Sequence, residues 1–230
     1  KPTGASDDGI QTRLAFAARS ELPALFVRND DGTESLLNFS IEDGDVLIHA
    51  GDLTKRGTLE EVRAAGEWLT KLPHKHKLVV AGNHDFLFER DPAAARALLT
   101  HATYLEDEAV EIDGVRFYGS PYTPEFFNWA FMLPRGEALR AKWSRIPNDI
   151  DVLVTHGPPH KILDRTAHGD HAGCEALAER VAELKPQLHV FGHIHEGYGI
   201  RDDGPTRYVN ASICTFDYRP KNTPMIFELS

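Results

Sequence analysis

Four groups of polar residues in this sequence have the chemistry of a divalent-metal site: Asp52, Asn83-His84-Asp85, His156 and His193-Ile194-His195. A carboxylate, an amide oxygen and several imidazoles together suit a borderline-to-hard ion such as Mn, Fe, Zn, Co or Ni. On an extended backbone, His193 and His195 would point to the same side, because side chains alternate along a strand. Taken singly, each group has a plainer reading. Asp52 after Gly51 reads as a turn residue, Asn83 as a helix cap, and His156 before Gly157-Pro158-Pro159 as a loop residue. The pair His193 and His195 reads as a half-exposed strand. What sets the four groups apart is position, since each follows directly on a short apolar run.

Those runs are residues 46–50, 78–81, 152–155 and 188–191, each bounded by glycine or a polar turn, which is the pattern of a buried strand. In an α/β sheet such strand ends gather at one edge, where ligand sites form. The segments between them read as helices. Thr58-Leu-Glu-Glu61 is a capping box opening a helix with Leu59, Val62, Gly66 and Leu69 on its apolar face. Pro92 starts an Ala-rich helix that runs to about Leu99. Residues 137–145 make a short helix, and Cys174, Leu177, Val181 and Leu184 share one face of another. Asp113-Gly114 signals a hairpin, and residues 207–210 and 225–229 read as late strands. Residues 1–43 differ: Ser6-Asp-Asp-Gly9 and Asn29-Asp-Asp-Gly32 mark loops, and residues 12–20 fit either a strand or a helix. The expected division is an atypical N-terminal segment, 1–43, of the same domain as 44–230.

With 230 residues, 41% of them hydrophobic, the chain can bury one sizeable core. Its net charge of −10, without a Lys/Arg block, argues against long nucleic acid as a partner. A small phosphate ester or nucleotide stays compatible, because a bound cation reverses the local field of an acidic protein. Cys174 and Cys214 read as buried thiols and not as a disulfide framework. No stretch approaches the roughly 18 apolar residues of a membrane helix, and Lys1 onward has no leader pattern. The expected location is cytoplasmic, with no membrane partner. Among the remaining histidines, His49 reads as a strand residue, His74, His76 and His101 as surface positions, and His160, His168 and His171 as a solvated loop. Tyr122, Phe126, Phe127, Trp129 and Tyr198 are candidates for an aromatic platform under a base, or for packing of the second sheet.

Gly51-Asp52, Gly82-Asn83-His84-Asp85, Thr155-His156-Gly157 and Gly192-His193-Ile194-His195 resemble the ordered motifs of the calcineurin-like metallophosphoesterases. Further segments are similar to the metallophosphoesterase-domain-containing branch related to a brain-expressed protein: Gly119-Ser-Pro-Tyr122, Trp129-Ala-Phe131, Gly173-Cys174 and Val209-Asn-Ala-Ser212. The resemblance runs from about Asp45 to Leu229. It implies a four-layer α/β/β/α sandwich of two stacked mixed sheets flanked by helices. It also implies a hydrolase acting on phosphodiesters such as cyclic nucleotides through metal-activated water, with manganese among the candidate ions. Carried over to this chain, Asp52 would bridge two metals. Asn83, His156 and His193 would complete one shell, and His195 would join the other. Asn83 and His84 would contact the phosphate, His84 would protonate the leaving oxygen, and Asp85 would hold the His84 imidazole.

The family opens with Asp-x-His at the end of its first strand, and this chain has no such motif. In one register Arg19 and Glu21 fall at the ligand places, and an arginine there opposes a cation. In the other, Asp30 or Asp31 replaces the aspartate and no histidine follows. The sequence therefore predicts one complete metal site and one that is depleted or altered. The alternative function is a nucleotide-binding scaffold or pseudoenzyme that keeps the pocket with little or no turnover.

Overall fold

Four-residue strands open the chain: β1 (Gly4–Asp7) pairs antiparallel with β2 (Thr12–Ala15), and β3 (Leu25–Arg28) with β4 (Glu34–Leu37). The computed structural model describes these strands and residues 46–229. Arg19, Glu21, Asp30 and Asp31 lie outside the described residues, so the two registers for the missing motif stay open. By its internal contacts the chain divides into two units, Lys1–Ser40 and Ile41–Ser230.

Within the larger unit, the apolar run closed by Gly51 forms β5 (Val46–Ala50). It is followed by α1 (Leu59–Lys71), β6 (His76–Val80), α2 (Phe86–Arg90), α3 (Pro92–Leu98) and β7 (Thr103–Tyr104). The strands make a parallel sheet in the order β5-β6-β7. The predicted capping box is present: Thr58 Oγ1 accepts from the Glu61 amide at 3.2 Å, and the Glu61 carboxylate accepts from the Thr58 amide at 3.2 Å. Such a cap stabilises a helix start by about 1 kcal/mol. Val62, Leu69, Phe88 and Ala95 of the three helices pack with Val79, Ala81 and Tyr104 on one face of this sheet.

The second half begins with the predicted hairpin, β8 (Glu108–Ile112) and β9 (Val115–Ser120). After it come β10 (Thr123–Pro124), β11 (Met132–Leu133), α4 (Glu137–Trp143), β12 (Val152–Thr155) and α5 (Glu175–Leu184). The last strands are β13 (Leu188–Phe191), β14 (Gly199–Asp203) and β15 (Thr206–Asn210). Six of them form a mixed sheet ordered β14-β15-β13-β12-β9-β8, antiparallel only at its two edges. Leu78 and Val80 of the first sheet meet Phe117, Val152, Val154, Leu188, Val190 and Val209 of the second in a shared layer. Trp143, Leu153, Leu177, Val181 and Phe191 bury α4 and α5 against the outer face of the mixed sheet.

Two sheets stacked face to face with helices outside make the four-layer α/β/β/α sandwich. Each fully buried Val or Leu in the inter-sheet layer contributes roughly 1.5–3 kcal/mol, so that layer fixes the strand ends of one sheet beside those of the other. One expectation fails. Residues 225–229 form no strand; their alternation instead tucks Met225 and Phe227 against the inter-sheet layer without backbone pairing. Among the described strands, those of the smaller sheet run parallel and those of the larger are mixed.

Candidate metal centre

β5, β6, β12 and β13 deliver Asp52, Asn83, His156 and His193 to one place, each one to three residues beyond its strand. Donor atoms of Asp52, His156 and His193 all lie within 4.8 Å of one another. Asp52 and His193 hold left-handed backbone, with φ of 59° and 67°. Non-glycine residues in that region cost of order 1–3 kcal/mol each, and such strain collects at functional sites. Two glycines make the approach possible. A Cβ on Gly51 would sit 2.3 Å from His156 Nδ1, and one on Gly82 would sit 2.2 Å from Asp52 Oδ1.

The hydrogen bonds of His156 test whether a cation fits. Its Nδ1 lies 2.9 Å from the Ala50 carbonyl oxygen, which can only accept, so Nδ1 carries the proton. In a neutral ring the Nε2 lone pair then faces Asn83 Oδ1 at 2.9 Å and Asp52 Oδ2 at 3.4 Å. Three electron-rich atoms turned toward one another call for a cation among them, and a backbone carbonyl on the far nitrogen is the usual way to aim a metal-bound histidine. Burial alone would raise the Asp52 carboxyl, but the charge His156 carries when protonated, the His84 amide and the charge of a protonated His193 outweigh it and hold the group below its ordinary range. Burial, reinforced by His156, pushes His193 down to about 3, leaving it a neutral donor. The donor set fits a borderline-to-hard divalent ion.

His84 sits at the mouth of this group and is partly exposed. Its amide donates to Asp52 Oδ1 at 3.0 Å, and its Nδ1 donates to the Lys55 carbonyl at 2.9 Å. That corrects the role expected of Asp85. Asp85 does not hold the His84 ring. Its Oδ2 accepts from the amides of Gly82 at 2.8 Å and Leu53 at 3.1 Å. Its Oδ1 accepts from the Thr54 amide at 2.9 Å and the Thr54 hydroxyl at 2.7 Å. The side chain is fully buried, so it acts as a brace between the loop after β5 and the loop after β6. Burial and the Asp52 charge push its pKa up to about 6, against the pull of those donors.

His195 stands apart from the group. Ile194 is extended but His195 opens a 3-10 turn, His195–Gly197, and His193 is left-handed, so the two rings do not share a strand face as expected. His195 Nδ1 donates to the Thr215 carbonyl at 3.1 Å, and its ring meets Tyr218 edge-on at 5.3 Å. His49 is the strand residue expected; it packs edge-on to Trp68, and burial pushes its pKa down to about 4. His160 and His171 are not simply solvated. His171 Nδ1 lies 2.6 Å from the buried carboxylate of Asp164, which also accepts from the Lys161 and Gly173 amides and so fastens the loop after β12. Cys174 is a buried thiol at the start of α5, accepting from the Trp143 indole at 3.3 Å. No helix among the described residues is long and apolar enough to cross a membrane.

Of the five aromatics considered for a platform, Trp129 lies 4.5 Å from His84, and Phe126 lies 5.4 Å from His193 and 5.8 Å from Phe127. Tyr122 packs against Phe131 under the Lys142 ammonium, and Tyr198 bonds the Thr223 carbonyl, so these two are structural. Tyr218 was not legible as part of the site, because the order of residues after Asn210 has no period to place it.

An α/β/β/α sandwich with candidate Asp, Asn and His ligands at adjoining strand ends points to a class, the calcineurin-like phosphoesterases. That family's profile matches residues 25–197, and the chain belongs to the family. It is similar to Metallophosphoesterase domain-containing protein 1 of Homo sapiens, 44% identical over 211 residues that cover 81% of this chain and 65% of that protein. It is also similar to a UPF0046 protein of Caenorhabditis elegans, 41% identical over 212 residues, 86% of this chain and 72% of that one. These likenesses set it in the metallophosphoesterase-domain-containing branch. The chain spans just under two thirds of the length of the human relative. A solved crystal structure with 20% identity shares the fold at a TM-score of 0.54, covering 75% of this chain and 80% of its own.

Proposed function

We propose that the protein hydrolyses phosphodiesters, cyclic nucleotides among them, at one firmly held divalent ion, with manganese a suitable metal. The observation that supports this most directly is the His156 Nε2 lone pair facing the oxygens of Asn83 and Asp52. A bound ion would polarise the phosphoryl oxygens and lower the pKa of the attacking water. The chain's residues do the rest. Asp52, Asn83, His156 and His193 hold the ion, and Asn83 and His84 face the phosphate. Since His84 Nδ1 is committed to Lys55, its Nε2 is the nitrogen that can deliver a proton. The water gives up a proton to solvent as its oxygen bonds to phosphorus, the ester P–O bond breaks, and the departing oxygen takes the His84 Nε2 proton. His195 serves a second, weaker ion position, depleted by the missing Asp-x-His motif. The proposed location is the cytoplasm and the proposed partner a small phosphate ester or nucleotide.

The test is metal content per chain after gentle purification, set beside hydrolysis of an aryl phosphodiester with and without added manganese. Fewer than two tight ions, with turnover that climbs with manganese, is expected. Two tight ions would overturn the depleted second position. Absence of turnover with every divalent metal, beside retained nucleotide binding, would replace the enzyme by a scaffold.

A further inference from the structure

Three aromatic rings lean on three histidines of the site. Trp129 lies 4.5 Å from His84, Phe126 lies 5.4 Å from His193, and Tyr218 lies 5.3 Å from His195. Trp129 is partly covered by Phe86 at 6.0 Å, but the others are open. Phe126 is 39% exposed, its neighbour Phe127 82% and Tyr218 70%. Single exposed aromatics are ordinary on a protein surface. Here the two most exposed rings, Phe127 and Tyr218, also occupy left-handed backbone, with φ of 50° and 58°. A bulky residue adopts that region at an energetic cost and needs surrounding structure to hold it there.

Both loops are tied to the site itself. The loop carrying Phe126 and Phe127 is fastened by the Ala130 amide donating to the Asn83 carbonyl at 3.2 Å and by the Phe131 amide donating to Glu89 at 2.7 Å. The turn carrying Tyr218 closes on the Thr215 carbonyl, which accepts from the Tyr218 amide at 2.8 Å and from His195 Nδ1 at 3.1 Å. Each loop thus holds an aromatic face out to solvent while sharing a hydrogen bond with a candidate ligand residue. The two rims border different histidines, Phe126 at His193 and Tyr218 at His195.

A phosphodiester bound at the ion has two organic arms, and in-line attack fixes which of them leaves and which stays. We infer that the rims bind these arms separately, so that the preferred substrate is a linear phosphodiester carrying a planar aromatic group in each of its two arms. This rests on the phosphodiesterase reading above and narrows its substrate class. Stacking on an aromatic side chain is indifferent to the edge pattern of the ring. The rims would therefore accept any pair of flat groups, such as the two bases of a dinucleotide.

The experiment compares bis(p-nitrophenyl) phosphate with methyl p-nitrophenyl phosphate on the manganese-loaded protein and on Phe126→Ala and Tyr218→Ala. Both side chains are exposed, so neither change should disturb the fold. With the two-ringed ester, each variant should raise KM about fivefold or more, the scale of one lost stacking contact. With the one-ringed ester the ring occupies the leaving arm, and only one of the two variants should matter. Calorimetric binding of diphenyl phosphate and methyl phenyl phosphate gives the same comparison without turnover. Equal KM and equal binding for one- and two-ringed esters, or variants indistinguishable from the parent, would overturn the inference while hydrolysis left the phosphodiesterase reading intact. Ring-dependent binding without hydrolysis under any metal would uphold the rims and overturn the enzyme. Neither binding nor hydrolysis would overturn both.

Discussion

The two halves of the site are built differently. The half made by Asp52, Asn83, His156 and His193 is assembled from four strand ends, with donor atoms a few ångströms apart and two glycines leaving no slack around His156. The His195 half rests on a 3-10 turn and on one bond to Thr215, in a segment that has no strand of its own. The first is stiffened by the stacked sheets on which the whole fold depends. The second depends on a surface turn. A ligand set inherits the rigidity of what carries it, and this contrast predicts unequal ion affinity at the two halves even before the missing Asp-x-His motif is counted.

Substitution is the strongest way to break the contrast. Asp52→Asn or His156→Ala should weaken metal binding by more than about a hundredfold and remove turnover, with the circular dichroism spectrum unchanged. His195→Ala should leave the tight ion in place. Equal losses from both sets, by metal analysis, would mean the halves act as one unit. Next in size is His84→Ala, which should keep near-normal metal content and lower turnover roughly a hundredfold or more for poor leaving groups. For nitrophenolate esters the loss should be much smaller, and equal losses for both kinds of ester would remove the acid role.

Gly82→Ala sharpens the contrast from the packing side. Its methyl would overlap Asp52 and His156, so we expect about 1–3 kcal/mol of lost stability together with lower metal affinity. A variant that bound metal normally would show slack where the structure shows none.

The last effect belongs to the shared scaffold. His189 lies on the outer face of the mixed sheet, 2.9 Å from Thr155 Oγ1, and burial pushes its pKa down to about 3. Its folded pKa is below the ordinary unfolded value, so its contribution is complete above pH ~6.5 and is lost as pH falls toward 3. At pH 5 this amounts to about 2 kcal/mol. Thermal melts should show a smaller acid-induced drop in His189→Gln than in the parent. Identical pH profiles would mean that the ring is not dry.

How much of this was legible beforehand depended on what positions each residue. Asp52, Asn83, His156 and His193 could be found because an apolar run stopped by glycine marks a strand end, and a parallel arrangement brings strand ends together. The shared strand face of His193 and His195 is what simple alternation predicts, but the backbone turns left-handed at His193 and then enters a 3-10 turn. Asp85 was identified as important, but its partners, Leu53 and Thr54, come from a loop about 30 residues away, a contact that no local pattern encodes. The alternation of Met225 and Phe227 predicts a strand, whereas in the structure it only packs. Helix α2, five residues long, was too short to show a period.

Asp85 has a consequence for how the ion arrives. Because its carboxylate ties the amides of Gly82, Leu53 and Thr54 through bonds that involve no metal, we expect the loops bearing Asp52 and Asn83 to hold their shape whether or not an ion is bound. Ion uptake then needs no coupled loop folding, and its rate should follow the speed at which the ion sheds water. The same three amide hydrogens should exchange slowly with solvent deuterium in the metal-free protein. Asp85→Ala would turn uptake from simple docking into folding on binding, visible as rapid exchange at those amides that slows only once metal is added.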